Sequence, residues 1–208
     1  MEKQKYAAIV LAAGSGKRMN SKVHKQYLII QDRPVLYYSL KAFEDSAVDE
    51  IVLVVGKGEE EFCRKEIVDK YGISKVKAIV EGGKERYHSV FEGLKQTSDA
   101  DYVLIHDGAR PFVNQHIIRR CMQEVQKYQA CVVGMPVKDT IKIADEEGYA
   151  KQTPDRKNVW MIQTPQTFSY ALIYEAYEEM LKTEDTAITD DAMVLERTKG
   201  KKSKLIEG

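Results

Sequence analysis

The chain has 208 residues, and its 32 Lys and Arg balance 32 Asp and Glu to a net charge of zero. That balance argues against a general nucleic-acid binder, whose footprint is a basic excess. At 43% hydrophobic and 31% charged, the chain has the make-up of an ordinary soluble globular protein, long enough for a core without staples. Three widely spaced cysteines (Cys63, Cys121, Cys131) with no CxxC pair argue against a disulfide framework or zinc site, and for reduced thiols in a cytoplasm.

In chain order, Tyr6 to Ala12 is a continuous apolar run of strand length, the pattern of a strand covered on both faces. It is far too short to span a bilayer, and no small-x-small cleavage pattern follows it. Ile51 to Val55, Val76 to Val80 and Tyr102 to Ile105 repeat the pattern. Between them lie helical patterns at about Val35 to Phe43, Glu60 to Tyr71, Ser89 to Gln96 and His116 to Tyr128. In the last, Ile117, Ile118, Cys121, Met122 and Val125 share one face. Alternating strands and helices predict an α/β, Rossmann-like fold: a mostly parallel twisted sheet with helices on both faces. After a further apolar run at Cys131 to Met135 the rhythm changes. Val137 to Ile143 alternates, turns at Asp145 to Gly148, and returns in a second extended piece to Thr153. This predicts an antiparallel hairpin arm over about 137–157 with no helix to cover it, for which a second subunit is the simplest cover. Helices return at about Tyr170 to Lys182 and Thr189 to Arg197. Residues 1–208 are expected to form one domain with a protruding arm.

The neutral total hides an asymmetry. From Lys3 to Gln31 the chain carries six bases (Lys3, Lys5, Lys17, Arg18, Lys22, Lys25) and no acid. A charge run is usually a solvated face, but this one surrounds a Gly-rich turn after a buried-looking strand, a setting for a polyanion. In open α/β sheets, ligands sit beyond the carboxyl ends of the strands. There the first strand has Leu11-Ala-Ala-Gly-Ser-Gly-Lys-Arg-Met19, whose glycines let backbone N–H groups surround a phosphate. It is neither a Walker A loop, since Arg18 follows Gly16-Lys17, nor a dinucleotide fingerprint, since Met19 replaces the third Gly. Taken alone, it is equally a tight loop with solvated bases. The fourth strand ends in His106-Asp107-Gly108-Ala109-Arg110-Pro111. Asp107 suits a divalent metal held against phosphates, though a turn or cap Asp is commoner. The third ends in Glu81-Gly82-Gly83-Lys84-Glu85-Arg86, with Ser89 at a helix start. Together these loops point to a nucleotide plus metal.

These residues resemble a known family. Leu11-Ala-Ala-Gly-x-Gly-x-Arg-Met19 is similar to the signature loop of nucleotidyltransferases acting on sugar and polyol phosphates. Lys25-Gln-Tyr27, Gly82-Gly-x-x-Arg86-x-x-Ser89-Val90, His106-Asp-x-Ala-Arg-Pro111, Asp139-Thr140 and Gln163-Thr-Pro-Gln166 follow in the order of the 2-C-methyl-D-erythritol 4-phosphate cytidylyltransferase branch. Ribitol-5-phosphate cytidylyltransferases share most of these motifs; Asp139-Thr140-Ile-Lys142 and Arg156 look more like the erythritol branch. A catalytically silent nucleotide-binding homologue is the alternative of another class.

The resemblance implies attack by the phosphate of the acceptor on the α-phosphorus of CTP, with Mg²⁺ and release of pyrophosphate. It implies Arg18 and Lys25 as transition-state stabilisers and the backbone of Ala12, Ala13, Gly14, Ser15 and Gly16 as the triphosphate cradle. Gly82, Gly83 and Ser89 would hold cytosine and ribose. Asp107 would lie near metal and sugar, with Arg110, Thr140, Arg156, Thr164 and Thr189 on the acceptor side. A homodimer sharing sites through the arm is implied, with neither membrane nor nucleic acid as partner. Three departures stand out. His24 replaces a common Pro before the Lys, so a less stiff loop is expected. Lys84 replaces an acidic residue. The family also continues past Gly208 with an Asn-x-Lys-Ile/Val-Thr segment whose Lys binds the acceptor phosphate; without it, weak acceptor binding is expected. His106 is expected to be a packed strand-end residue rather than a base, and Trp160 a core or dimer contact.

Overall fold

A computed structural model describes residues 3–14, 24–183 and 187–208. β1 (Tyr6–Ala12) is followed by a 3₁₀ turn at Lys25–Tyr27 and a small hairpin, β2 (Ile29–Ile30) with β3 (Arg33–Pro34). Then come α1 (Val35–Glu44), β4 (Glu50–Val55), α2 (Glu60–Cys63, continued by a π-helical stretch over Arg64–Asp69), β5 (Val76–Glu81) and α3 (Arg86–Leu94). β6 (Tyr102–Asp107), α4 (Gln115–Tyr128) and β7 (Ala130–Pro136) lead into the arm, β8 (Ile143–Ala144) and β9 (Ala150–Gln152). The chain returns as β10 (Trp160–Ser169), α5 (Tyr170–Met180), α6 (Asp191–Lys199) and β11 (Lys204–Glu207).

Seven strands form one sheet in the order β11-β7-β10-β6-β1-β4-β5, in which β10 alone runs antiparallel to its neighbours. The continuous apolar runs are explained by the two layers that cover it. Ala8, Val10, Leu53 and Leu104 face a cluster with Leu36, Leu40 and Phe43 of α1 and Ile118, Cys121 and Val125 of α4. Ala7, Ile9, Val52 and Val103 face the opposite cluster, with Val90 and Leu94 of α3, Tyr177 of α5 and Leu195 of α6. Successive residues of a strand point to opposite faces, so a strand buried on both must be apolar throughout.

Chain order along the sheet reverses at β1. From β1 the chain steps outward to β4 and β5, then crosses back to β6 on the other side. The crevice beyond the carboxyl ends of β1 and β6 is therefore the topological switch point where open α/β sheets bind ligands.

Two strands of the seven-stranded sheet have no counterpart in the sequence reading, β10 and β11, and neither does the small β2–β3 hairpin. β10 contains Gln163-Thr-Pro-Gln166, which signals a turn because Pro165 lacks a ladder donor; the β10–β7 register is interrupted there, between Ile162 and Gln166. The arm is a hairpin, but its strands are shorter than the alternation predicted. Asp145 closes the turn by accepting the N–H groups of Glu147 and Tyr149 at 3.1 and 2.8 Å. No helix among the described residues is long and apolar enough to cross a membrane.

Candidate active site

A cleft of about 410 Å³ opens at the switch point, lined by the end of β1 and its loop (Leu11 to Gly14), Lys25, Gln26, the Gly83 to Arg86 turn, Ser89, Asp107 and Ala109. The structure thus brings Ala12, Ala13, Gly14, Lys25, Gly83, Ser89 and Asp107 together from four separate segments. Ser15, Gly16 and Arg18, with Lys17 and Lys22, lie outside the described residues. The basic stretch is not one field. Lys3 pairs with Asp49 at 2.7 Å, and Lys5 pairs with Glu50 at 3.2 Å and with Asp99. Both precede β1, roughly 20 Å from the cleft by the rise of a seven-residue strand.

The turn that presents Lys25 is held from behind. Gln26 is buried and donates its amide to the Ala12 carbonyl at 2.6 Å and to that of Gly14 at 3.2 Å. Glu59 accepts the Tyr27 hydroxyl at 2.7 Å and the Gly56 N–H at 3.1 Å, and lies 3.0 Å from His24 Nδ1. Burial comes first among the influences that push the Tyr27 phenol far above its ordinary range, so it stays a donor. His24 has φ −62° and ψ 139°, the conformation a proline imposes. The contact with Glu59 supplies a tether where a less stiff loop is expected from the sequence.

Gly82 and Gly83 are required by close approach. A Cβ on Gly82 would lie 2.5 Å from Ala13 Cβ and 2.7 Å from Ser89 Oγ; one on Gly83 would lie 2.3 Å from His88 Cβ. Gly82 thus sits behind the cleft wall, seating the β1 loop against the start of α3. Ser89 Oγ accepts the Gly83 N–H at 3.1 Å and donates to the Glu85 carbonyl at 3.2 Å. Glu85 and His88 form a reciprocal capping box at the same helix end.

Asp107 ends β6 with both oxygens engaged: Oδ1 accepts from Arg86 Nε at 3.4 Å and Oδ2 from Arg110 Nε at 3.0 Å. Burial raises its carboxyl pKa, but the charges of Arg86 and Arg110 outweigh this and hold it below the ordinary value. His106 is fully buried, and burial drives its pKa down to about 4. It is therefore neutral, and its partners assign the tautomer. Nε2–H donates to the Arg110 carbonyl at 3.1 Å, while Nδ1 accepts the Thr164 hydroxyl at 3.0 Å. Thr164 Oγ1 in turn accepts the Asp107 N–H at 3.2 Å. The imidazole is packed at a strand end, as the sequence predicts, and its role is to fix Asp107 and Arg110.

Arg110 and Thr164 line an adjoining groove with His106, Phe112, Met135 and Gln163, so these two candidates line a different cavity from the one lined by Asp107. Thr140 and Arg156 lie on the exposed arm and line neither cavity; Arg156 donates to the Lys138 carbonyl at 3.0 Å and ties the legs of the arm. Thr189 is exposed ahead of α6, whose cap is Asp190, accepting the Met193 N–H at 2.9 Å, and not Thr189. Gln26, Glu59, Arg86 and Asp191 are not among the candidates drawn from the sequence. Gln26 and Arg86 stand inside quoted motifs, which was a usable signal. Glu59 and Asp191 stand in ordinary acidic runs and had none.

Among the described residues no group of three or more His, Cys, Asp or Glu could hold a metal. Among those residues two carboxylates line the cleft, and Glu85 is taken up by the α3 capping box; Asp107 as the one remaining fits an ion that takes most of its oxygens from phosphates and waters, as Mg²⁺ does.

The family model described as IspD: 2-C-methyl-D-erythritol 4-phosphate cytidylyltransferase matches residues 6–208. A protein of that name from Lachnospira eligens is 54% identical over 201 residues, covering 96% of this chain and 88% of the relative. One from Lachnoclostridium phytofermentans is 51% identical over 193 residues, covering 93% and 83%. The crystal structure of 4-diphosphocytidyl-2C-methyl-D-erythritol synthase from Anaerococcus prevotii superposes with a TM-score of 0.86 at 35% identity, covering 99% of this chain and 87% of that one. A crystal structure of 2-C-methyl-D-erythritol 4-phosphate cytidylyltransferase from Thermus thermophilus gives 0.75 at 31%, covering 96% and 87%. With a match over almost its full length, the chain belongs to the IspD family of 2-C-methyl-D-erythritol 4-phosphate cytidylyltransferases.

Proposed function

We propose that this enzyme transfers CMP from CTP to 2-C-methyl-D-erythritol 4-phosphate, giving 4-diphosphocytidyl-2-C-methyl-D-erythritol and pyrophosphate. The family supports the reaction, and the observation that carries it is the convergence of Lys25, the Gly83 turn and Asp107 on one cleft at the switch point. An oxygen of the acceptor phosphate forms the new bond to the α-phosphorus as the bond to the β-phosphate oxygen breaks, and pyrophosphate leaves with that electron pair. The attacking phosphate needs no deprotonation. What the protein supplies is alignment and neutralisation of charge on the equatorial oxygens.

In this reading Lys25 and Arg18 neutralise the α-phosphate, and the backbone of Ala12 to Gly16 cradles the triphosphate. Gly83 and Ser89 form the cytidine wall and Gly82 backs it, where close backbone approach favours the smaller pyrimidine ring. Asp107, Arg110 and Thr164, with Thr189, take the acceptor side. Asp107 would be the protein's carboxylate for Mg²⁺, which when bound neutralises phosphate oxygens. The shared seven-stranded sheet supports one nucleotidyltransferase domain over 1–208. Ile143 and Tyr149, 45% and 69% exposed on the arm, support a homodimer in which Thr140 and Arg156 complete the partner's site. Three free, buried thiols suit a reducing cytoplasm.

The test is pyrophosphate release from CTP with methylerythritol phosphate and ribitol 5-phosphate side by side. Release with the former, lost in Arg18→Ala and Lys25→Ala, is expected. Preference for ribitol 5-phosphate overturns the substrate, and silence with both overturns the activity. Sedimentation equilibrium showing a monomer at micromolar concentration defeats the shared-site arm.

A further inference from the structure

We infer that Arg86 and Asp191 are positioning residues that set Asp107, and with it the acceptor side of the site, against the nucleotide cleft. The inference rests on the reaction proposed above and assigns roles to two side chains outside its residue set. Arg86 opens α3 directly after the Gly82–Gly83 turn and lines the cleft. Its Nη1 and Nη2 donate to both oxygens of Asp191 at 2.8 and 2.9 Å, and its Nε reaches Asp107.

Asp191 is the anchor. Its side chain has 0% exposure against 34% for Arg86, it also accepts the Tyr177 hydroxyl at 2.5 Å, and it lies in the first turn of α6, where a carboxylate is favoured. A two-pronged guanidinium–carboxylate contact fixes orientation as well as distance. Arg86 therefore cannot follow Asp107 if that carboxylate shifts, whereas Arg110, 46% exposed, is free to swing away. The helix start that carries Asp191 is itself tied to the acceptor elements. Gln166 of β10 accepts the Ala192 N–H at 3.0 Å and donates to Asp190 at 3.1 Å, linking α6, which follows Thr189, to the strand that carries Thr164. Asp191 and Arg86 thus join β6 and α6 to the start of α3, and Gln166 ties the same end of α6 to β10.

The experiment compares wild type, Asp191→Asn, Arg86→Lys and the charge-neutral double variant Arg86→Gln/Asp191→Asn. Steady-state kinetics vary CTP and methylerythritol phosphate separately. Arginine side-chain ¹⁵N NMR, with Arg86 assigned by its loss in Arg86→Lys, follows rotation about its Cζ–Nη bonds. Slow rotation is expected in wild type and is lost in Asp191→Asn. Each variant should show about a tenfold lower kcat and tenfold higher KM for the acceptor, with KM for CTP within about threefold. The double variant buries no unpaired charge and is expected to fold while keeping the kinetic defect. Normal kinetics in the double variant, or equal rises in both KM values at unchanged kcat, overturn the inference in favour of simple packing. A wild type that turns over no polyol phosphate defeats the proposed reaction instead. The NMR then decides alone, and free rotation in wild type sinks the inference.

Discussion

Gln26 donates its buried side-chain amide to the carbonyl of Ala12 at 2.6 Å, so the residue beside Lys25 is bolted to the last residue of β1. The lysine and the loop it faces thereby move as one unit. Gln26→Leu should leave the carbonyls of Ala12 and Gly14 without this donor and cost about 1–3 kcal/mol of stability. KM for CTP should rise at the same time. Urea unfolding and CTP titration of the rate measure the two, and a stability loss with KM for CTP unchanged would show that the tie is structural only.

Lys25→Ala is expected to lower kcat by about 10²–10³-fold, the usual cost of one positioned charge donor at a developing oxyanion. The lysine stands on an exposed turn edge, so the thermal midpoint should hold. A kcat within threefold of wild type would remove Lys25 from the catalytic groups.

Gly82→Ala places a methyl 2.5 Å from Ala13 Cβ and 2.7 Å from Ser89 Oγ. Overpacking of this kind costs about 1–3 kcal/mol, and here it pushes apart the β1 loop and the α3 start, the two walls of the nucleotide cleft. Weaker CTP binding by calorimetry should accompany the lower stability. Unchanged affinity would mean that the walls tolerate the shift.

The buried His106 makes stability fall in acid. Its imidazole takes a proton near its ordinary value in the unfolded chain but only at about 4 when folded. Between those values the unfolded chain binds more protons, so stability rises with pH there. The contribution is complete above pH ~6.5 and is lost towards pH 4, by about 3 kcal/mol in all. Unfolding free energies from pH 4 to 7 for wild type and His106→Gln check this. A slope that persists in the variant belongs to another group.

Much of the α/β framework was legible because burial on both faces leaves no choice of residue type. The runs at Tyr6, Ile51, Tyr102 and Cys131 are apolar throughout because each lies between two helical layers, whereas β5, at the sheet edge, admits an exposed Lys77. β10 was not legible. Its ladder is interrupted around Pro165, and the local turn signal there is overridden by pairing with β6 and β7, which are distant in sequence. Within the site, Gly-rich loops and Asp107 at strand ends pointed to segments that line one cleft. The backing of those residues was hidden. Glu59 and Asp191 look like solvated acids in sequence, yet each holds a wall of the cleft.

By itself the sequence determined the order of main-sheet strands and helices as far as β7, the loops at the strand ends and the family, since all of these are local patterns of residue type and spacing. Only the tertiary structure decided which groups share the cleft. It separated Lys3 and Lys5 from Lys25 along the length of β1, engaged both oxygens of Asp107 with arginines, and set Thr140 and Arg156 on an arm away from their own cleft. Those relations depend on contacts between residues tens of positions apart, and the zero net charge of the chain says nothing about where its charges meet.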